Sequence, residues 1–465
     1  MTTHRTIIVG GGLAGLSAAH TLLENGKKVL LLDKKPSLGG NSVKASSGIN
    51  GAGTEAQHEL NINDTIEAFS SDTTTSAGAL ARPALITALT SNSAPAISWL
   101  TSQLGIDLSV VSRLGGHSVA RTHRDKSGAP GWAITSALMK KLAAAAAENA
   151  SVEIVKNARV MRLLEDAGRV IGVEYETVDG KVEEHGDVII ATGGYAADFS
   201  AGGLLATHRP DLLPLSTTNG DHATGDGHRL VSSLSRPAAL CDLDQVQVHP
   251  TGFVDPANVD AKTKFLAAEA LRGVGGLIID REGNRFVNEV DRRDVVTERM
   301  EAIIREGRGP VRLVLNKEAA GEIKSHCDFY VSKGLMKLFN NAKEFSESSG
   351  IALDNLTATF TQHTQFASGK GEDPFGKPIF HNANYSIDEP IHVASITPVV
   401  HYTMGGISVD AAARALDVAG NPIPGLYAAG EVIGGVHGQN RLAGSSLLEA
   451  VVFGRLAGQA AVGSV

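Results

Sequence analysis

The sequence predicts an α/β fold in which a Rossmann-like dinucleotide-binding domain is interrupted by an inserted α+β domain. Three observations predict it. A glycine-rich turn, Gly10-Gly11-Gly12-Leu-Ala-Gly15, stands between an apolar run and a helical one. Two further apolar runs end in glycines far downstream, Val188-Ile-Ile-Ala-Thr-Gly-Gly194 and Gly425-Leu-Tyr-Ala-Ala-Gly-Glu431. Between them, from about 244 to 400, the texture changes to more charge and irregular loops. The expected division is therefore residues 1–243 as the first part of the dinucleotide domain, 244–400 as the insert, and 401–465 as a return segment.

The elements follow in order. From Arg5 to Asp33 the pattern reads strand Thr6–Val9, glycine turn, helix Leu16–Glu24, strand Lys28–Leu32, which is one βαβ unit. Residues 39–53 are rich in Gly, Ser and Asn and read as loop, whereas the alanine run within Ile134–Asn149 reads as helix. Strand-like runs at 152–161, 169–178 and 182–191, separated by turn signals at Asp166–Gly168 and Asp179–Gly180, predict a small antiparallel meander. The third run closes on Val188–Ala191, an apolar stretch of the kind buried in parallel sheets. Residues 335–385 carry little pattern, and no repeat is apparent.

A chain of 465 residues with 42% hydrophobic and 20% charged residues is an ordinary globular composition, long enough for two domains. Its net charge of -8 argues against a nucleic-acid partner. The two cysteines, Cys241 and Cys327, lie far apart and outside any CxxC pattern, so haem attachment, Fe–S ligation and disulfides are not expected, nor is any metal site. An apolar run starting at Thr6 leaves no room for a leader, and no run reaches the ~18 apolar residues of a membrane span, so a cytoplasmic protein without a membrane partner is expected.

Gly10 to Gly15 fits GxGxxG, in which the glycines serve a tight turn, close approach of a pyrophosphate and close helix–strand packing. Asp33 falls 23 residues after Gly10, at the end of the second strand, where a carboxylate can accept hydrogen bonds from an adenosine ribose. That motif alone serves NAD as well as FAD. The Gly39-Gly40-Asn41-Ser42 loop, the Ala191–Gly194 strand end and Gly430-Glu431 favour FAD, a long cofactor on which separated loops converge.

Over nearly its whole length the chain resembles the soluble fumarate reductases, especially the compact fungal type, within the succinate dehydrogenase and L-aspartate oxidase flavoproteins. The stretches that carry the resemblance include Gln247-Val-His-Pro-Thr251, Ala268-Glu-Ala-Leu-Arg-Gly273, Arg285-Phe-Val-Asn-Glu289, Arg292-Arg293-Asp294, Thr397–Gly406 and Gly438-Gln-Asn-Arg-Leu-Ala-Gly444. The resemblance implies a glutathione-reductase-like FAD domain with an α+β cap. It places cofactor contacts at Gly10, Gly12, Ala14, Gly15, Asp33 and Lys34, and in the loop at Gly40, Asn41, Ser42, Ser46, Ser47 and Gly48. Further contacts are implied at Ala191, Thr192, Gly193 and Asp226, and at Gly430, Glu431, Arg441, Ser446 and Leu447. Asn41 stands where the membrane-bound relatives carry the histidine that attaches FAD, which implies a non-covalent cofactor.

Reducing a dicarboxylate alkene requires two carboxylates to be fixed, a hydride to reach one carbon and a proton the other. Arg441 offers a bidentate fork, and His249 and His401 can donate to a carboxylate. By resemblance Arg293 is the proton donor, Glu269 and Arg272 are its relay, and Gly116 and Gly444 touch substrate. A guanidinium is a poor acid, so that role needs a strongly basic intermediate and immediate reprotonation through neighbours. Glu269 and Arg272 lie three apart and share a face on a helical turn. His117 and His123, near Gly115-Gly116, suit a structural role as well as a site-lining one.

The expected activity is reduction of fumarate to succinate, with electrons from a soluble reduced donor, reduced free flavin among the candidates. Reduction or desaturation of another enoate, or L-aspartate oxidation, are alternatives on the same scaffold. A flavin electron carrier with no substrate is a further one, though a carrier needs none of His249, Glu269, Arg272, Arg293, His401 and Arg441.

Overall fold

Short loops and buried apolar strands build the first sheet. In the computed structural model, which describes residues 5–126, 129–148 and 151–463, Arg5–Val9 and Lys28–Asp33 flank the helix Leu13–Glu24 and pair in parallel. Leu30, Leu31 and Leu32 have no exposed surface. That is the burial expected of a parallel strand covered on both faces.

The sheet has six strands, in the order Arg414–Leu416, Pro422–Ala428, Val188–Ile190, Arg5–Val9, Lys28–Asp33, Val152–Lys156. All pairs are parallel except the one made by the edge strand Arg414–Leu416. The run at 425–431 thus returns to the first sheet, its Leu426 in register with Val188. The last helix, Ser445–Val462, lies against Leu13–Glu24 so closely that a Cβ on Gly454 would stand 2.4 Å from the Ala14 carbonyl oxygen.

The meander is present with different bounds. It consists of Arg159–Asp166, Arg169–Thr177 and Gly180–His185. Both outer runs divide: Val152–Lys156 and Val188–Ile190 belong to the parallel sheet. Asn157, with φ of 53°, turns the chain out of one sheet before the next begins. The helix expected at 134–149 spans Pro130–Glu148, and Asn149 lies outside the described residues.

A second, mixed sheet of six strands is organised by one long strand, Ile391–Thr403. It pairs with Ser216–Thr217, Val246–Phe253, Val311–Leu315 and Lys337–Phe339, and Leu277–Ile279 joins through Val311–Leu315. These strands draw on a span wider than 244–400 at both ends. Beneath them lie apolar clusters of their own, one around Leu271, Val296, Met300 and Leu313, another around Phe345, Leu356 and Phe360. The fold is α/β, with a mainly parallel six-stranded sheet and a second α+β layer.

Candidate active site

The glycines of the first turn answer to space. A Cβ on Gly10 would lie 2.3 Å from the Ala191 carbonyl oxygen, and one on Gly15 2.0 Å from the Gly10 carbonyl oxygen. Gly12 differs: no atom lies within 4 Å of the position its Cβ would take. It caps the first helix with no capping side chain, so the helix N-terminus opens onto free space.

That space belongs to a cavity of about 1170 Å³. Its wall takes Gly10, Gly12, Ala14, Asp33 and Lys34 from the βαβ unit and Gly40, Asn41, Ser42, Ser46, Ser47 and Gly48 from the following loop. Ala191, Thr192, Gly193 and Asp226 continue it, and Gly430, Glu431, Arg441, Gly444, Ser446 and Leu447 close it. Gly15 stands behind the wall as a packing residue. Asp33 receives the Gly11 N–H at 2.8 Å, Lys34 donates to Asp226 at 2.9 Å, and Asn41 donates to Asn219 Oδ1 at 2.6 Å.

The residues fit a dinucleotide. The helix Ser445–Val462 also starts on the cavity without a capping side chain, which puts two helix N-termini, both favourable to anions, on one wall. Ser46 Oγ, Thr192 Oγ1 and Arg441 Nε are buried at this wall without partners among the described residues. A bound polar ligand satisfies such groups.

Another part of the same wall is made by Arg293, His401, Tyr402, Arg441 and Gly444. Arg293 opens the helix Arg293–Arg305 and donates from Nε to Glu269 Oε2 at 2.6 Å and from Nη1 to Gln247 Oε1 at 2.8 Å. Arg441 donates from Nη2 to that same Gln247 oxygen at 3.0 Å and from Nη1 to the Leu442 carbonyl at 3.1 Å. Its guanidinium sits 4.3 Å from the Tyr402 ring centroid. His401 Nδ1 is 2.7 Å from Thr218 Oγ1.

Burial pushes the Glu269 carboxyl up, but Arg293, Arg272 and the Gly115 N–H prevail and hold it at about 2. Arg272, three residues on, approaches Glu269 to 3.6 Å and is lowered by burial. Burial and then the Arg293 charge lower Arg441 to about 10, leaving it cationic at neutral pH. Burial, reinforced by the neighbouring arginines, holds His249 and His401 well below the usual histidine range, so both rings are neutral. Burial raises Glu431 to about 7 against the opposing Thr403 N–H.

Glu269 and Arg272 face elsewhere. They line a second cavity, about 460 Å³, together with Gly116, His117, Arg124, Glu322 and His381. The Arg293–Glu269 bond therefore joins the walls of two cavities. His249 lines neither one: it stacks edge-on to His401 with centroids 5.1 Å apart, its Nε2 3.9 Å from Glu269. The Thr251 N–H donates to its Nδ1, so the neutral ring carries its proton on Nε2, an atom with no hydrogen-bond partner among the described residues. His117 Nε2 contacts the Ala443 carbonyl at 3.0 Å and His123 Nε2 contacts Thr54 Oγ1 at 2.7 Å, so both hold loops.

Sequence reading missed Gln247 as a site residue, although its stretch stood out, and missed Thr218 and Lys44 on the cavity wall. No spacing rule marks them. No group of three or more metal-ligating side chains able to hold an ion occurs among the described residues, and no described helix is long and apolar enough to cross a membrane.

Residues 5–447 match the family described as FAD binding domain. The chain is 46% identical to the fumarate reductase of Schizosaccharomyces pombe, covering 98% of this chain and 89% of that one. It is 40% identical to fumarate reductase 1 of Saccharomyces cerevisiae, covering 99% and 98%. The open conformation of a flavocytochrome c3 fumarate reductase superposes with a TM-score of 0.78 at 30% identity, over 99% of this chain and 78% of that one. With a cavity whose wall fits the dinucleotide, the chain belongs to the FAD-binding flavoproteins of the fumarate reductase family, and FAD is its cofactor.

Proposed function

We propose that this protein is a fumarate reductase that uses non-covalent FAD to convert fumarate to succinate. The observation that carries the reading is the pair of guanidiniums, Arg293 and Arg441, set on the wall of the FAD cavity and joined through one Gln247 oxygen. A planar fork that can grip a carboxylate thus stands beside one tied to a buried acidic relay.

Bound FAD, once reduced, supplies the hydride. Arg441 grips one substrate carboxylate, and its backing by the Tyr402 ring keeps the fork in place. His401, neutral and held through Thr218, donates one hydrogen bond to the substrate. His249, packed edge-on against His401, supports that ring from behind. Gly444 keeps that part of the wall free of side chain, and Gly116 packs behind it against Leu442.

Arg293 gives its proton to the second alkene carbon as the hydride reaches the first. One hydride and one proton added across the double bond of the dianion give the succinate dianion. Glu269, bonded to Arg293 Nε, passes a proton back to it, and Arg272 feeds Glu269 from the second cavity. Locating proton supply and substrate on opposite sides of Arg293 keeps the water that delivers protons away from the reacting carbons.

The Asn41 amide bonds to Asn219 and to the Gly220 N–H, which supports a non-covalent cofactor, since an amide cannot form the histidyl link. The domains divide at 243/244 and 400/401, with the strand Ile391–Thr403 crossing the second boundary. A soluble reduced donor and a cytoplasmic location complete the reading. The test offers fumarate, maleate, other enoates and, with oxygen, aspartate to the purified holoprotein, using reduced methyl viologen as donor. Fumarate-dependent reoxidation that disappears in Arg293→Ala, with flavin content retained, is expected. Oxidation of aspartate without fumarate turnover would overturn the proposal.

A further inference from the structure

Gln247 sits on the strand Val246–Phe253, is 4% exposed, and uses every hydrogen-bonding position of its amide. Its Oε1 accepts from Arg293 Nη1 at 2.8 Å and from Arg441 Nη2 at 3.0 Å. Its Nε2 donates to Asn440 Oδ1 at 2.7 Å and to the Arg441 carbonyl at 2.8 Å. The partners settle which way the amide faces, because a guanidinium only donates and a carbonyl only accepts.

We propose that Gln247 is the positioning residue that fixes the proton donor Arg293 and the carboxylate clamp Arg441 relative to one another, and that its neutrality leaves the Arg441 charge available to substrate. This rests on the reading of Arg293 and Arg441 given above. Two buried cations sharing a wall repel one another, and something must hold them together. A carboxylate at this position would do so more strongly, but it would also neutralise the charge that recruits a dianion and compete for the same N–H groups. The amide oxygen takes one N–H of each arginine; Arg293 Nε is held by Glu269 and Arg441 Nη1 by the Leu442 carbonyl, and Arg441 Nε is left without a protein partner among the described residues. Through Nε2, Gln247 also anchors the 440–441 backbone, so clamp and proton donor share one reference point.

Three variants test this, each compared at equal FAD content with the wild-type holoprotein. Gln247→Met removes the acceptor at similar size, and kcat and the fumarate KM should both worsen, lowering kcat/KM at least tenfold. Gln247→Glu keeps the acceptor but adds charge. Its succinate Kd, measured by calorimetry, should rise about tenfold or more, with KM rising more than kcat falls. Gln247→Asn should fall between wild type and Gln247→Met. A purely structural role predicts instead that thermal stability and FAD content drop while kcat and KM per bound flavin stay within twofold of wild type, and that result overturns the proposal.

Arg293→Ala and Arg441→Ala are assayed alongside. If either one retains fumarate turnover, the reading of the site itself fails. If both are inactive while all three Gln247 variants behave as wild type, only the role of Gln247 fails.

Discussion

Replacing Glu269 by glutamine removes one buried charge from between three cationic or donor groups and leaves the shape unchanged. Arg293 Nε lies 2.6 Å from Glu269 Oε2, Arg272 Nη2 3.6 Å and His249 Nε2 3.9 Å. A carboxyl held at about 2 rather than the ordinary 4.5 favours its ionised form by roughly 3 kcal/mol, at about 1.4 kcal/mol per pH unit. Breaking a buried pair by removing one partner costs about 3–5 kcal/mol, which agrees. The cofactor-free protein carrying Glu269→Gln should therefore melt roughly 3–5 °C below wild type. Because the native carboxyl is depressed, this stabilisation is present above about 4.5 and is lost as pH falls toward 2. The gap between the two proteins should stay constant from pH 6 to 8 and close only in acid. FAD content should be unaffected, since Glu269 does not line the FAD cavity. Turnover should fall by about 10²–10⁴, the usual worth of a positioned proton-transfer group. Fumarate turnover within threefold of wild type at full flavin occupancy refutes the relay.

Gly12→Asp places a carboxylate where the cavity meets the uncapped helix, so the protein should purify folded but without the flavin absorbance near 450 nm. Lys377, 2.9 Å from Glu289 and buried with it, also serves charge balance beside Arg285; Lys377→Met should cost about 3 kcal/mol in urea denaturation with little change in FAD content. Burial holds His117, His123, His228 and His363 at about 4, and His249 and His401 well below their usual value. Each binds a proton in the unfolded chain below pH 6.5 but not in the folded one, which removes about 1.4 kcal/mol per pH unit. Glu431, raised to about 7, opposes them as a single group, so the melting temperature of the cofactor-free protein should drop steeply between pH 6.5 and 5. A flat profile there would show that these rings are protonated in the folded state.

The βαβ unit was legible because everything that determines it is local. Gly10, Gly15 and Asp33 lie within one unit, and their places in the turn, the helix packing and the strand end follow from spacing alone. The meander was legible in kind and misread in extent. Run 152–161 is apolar enough throughout to pass for one strand, yet Asn157 breaks it, and each half joins a different sheet. Run 182–191 divides at Gly186, where a Cβ would stand 2.0 Å from the Arg5 carbonyl oxygen, a constraint set by a residue far away in sequence. The cavity wall followed the expected loops closely, since loops at strand ends have few places to go. Depth was not legible: nothing in Gln247–Thr251 says that the His249 ring lies behind His401, or that Glu269 opens on a second cavity. Gln247 escaped notice because an amide has no chemistry of its own. Its importance arises only when two arginines distant in the chain meet its oxygen.

The charge inventory makes the chemistry of the site narrower than the fold requires. Arg293 has Glu269 as its counter-ion, so its charge is largely met within the protein. Arg441 has no such partner among the described residues. The acidic groups nearest in influence are engaged elsewhere, Glu431 by the Thr403 N–H and Glu449 by the Tyr402 hydroxyl, with His437 Nε2 3.2 Å away. The histidines beside it are neutral and add hydrogen bonds without adding charge. A buried guanidinium with an unpartnered Nε and a lowered affinity for its own proton is a destabilised group, and a carboxylate arriving from the cavity relieves it. The stability forgone at Arg441 is therefore recovered on binding an anion. A neutral enoate recovers none of it. Preference for an anionic group at Arg441 thus follows from where counter-ions are withheld as much as from where donors are supplied.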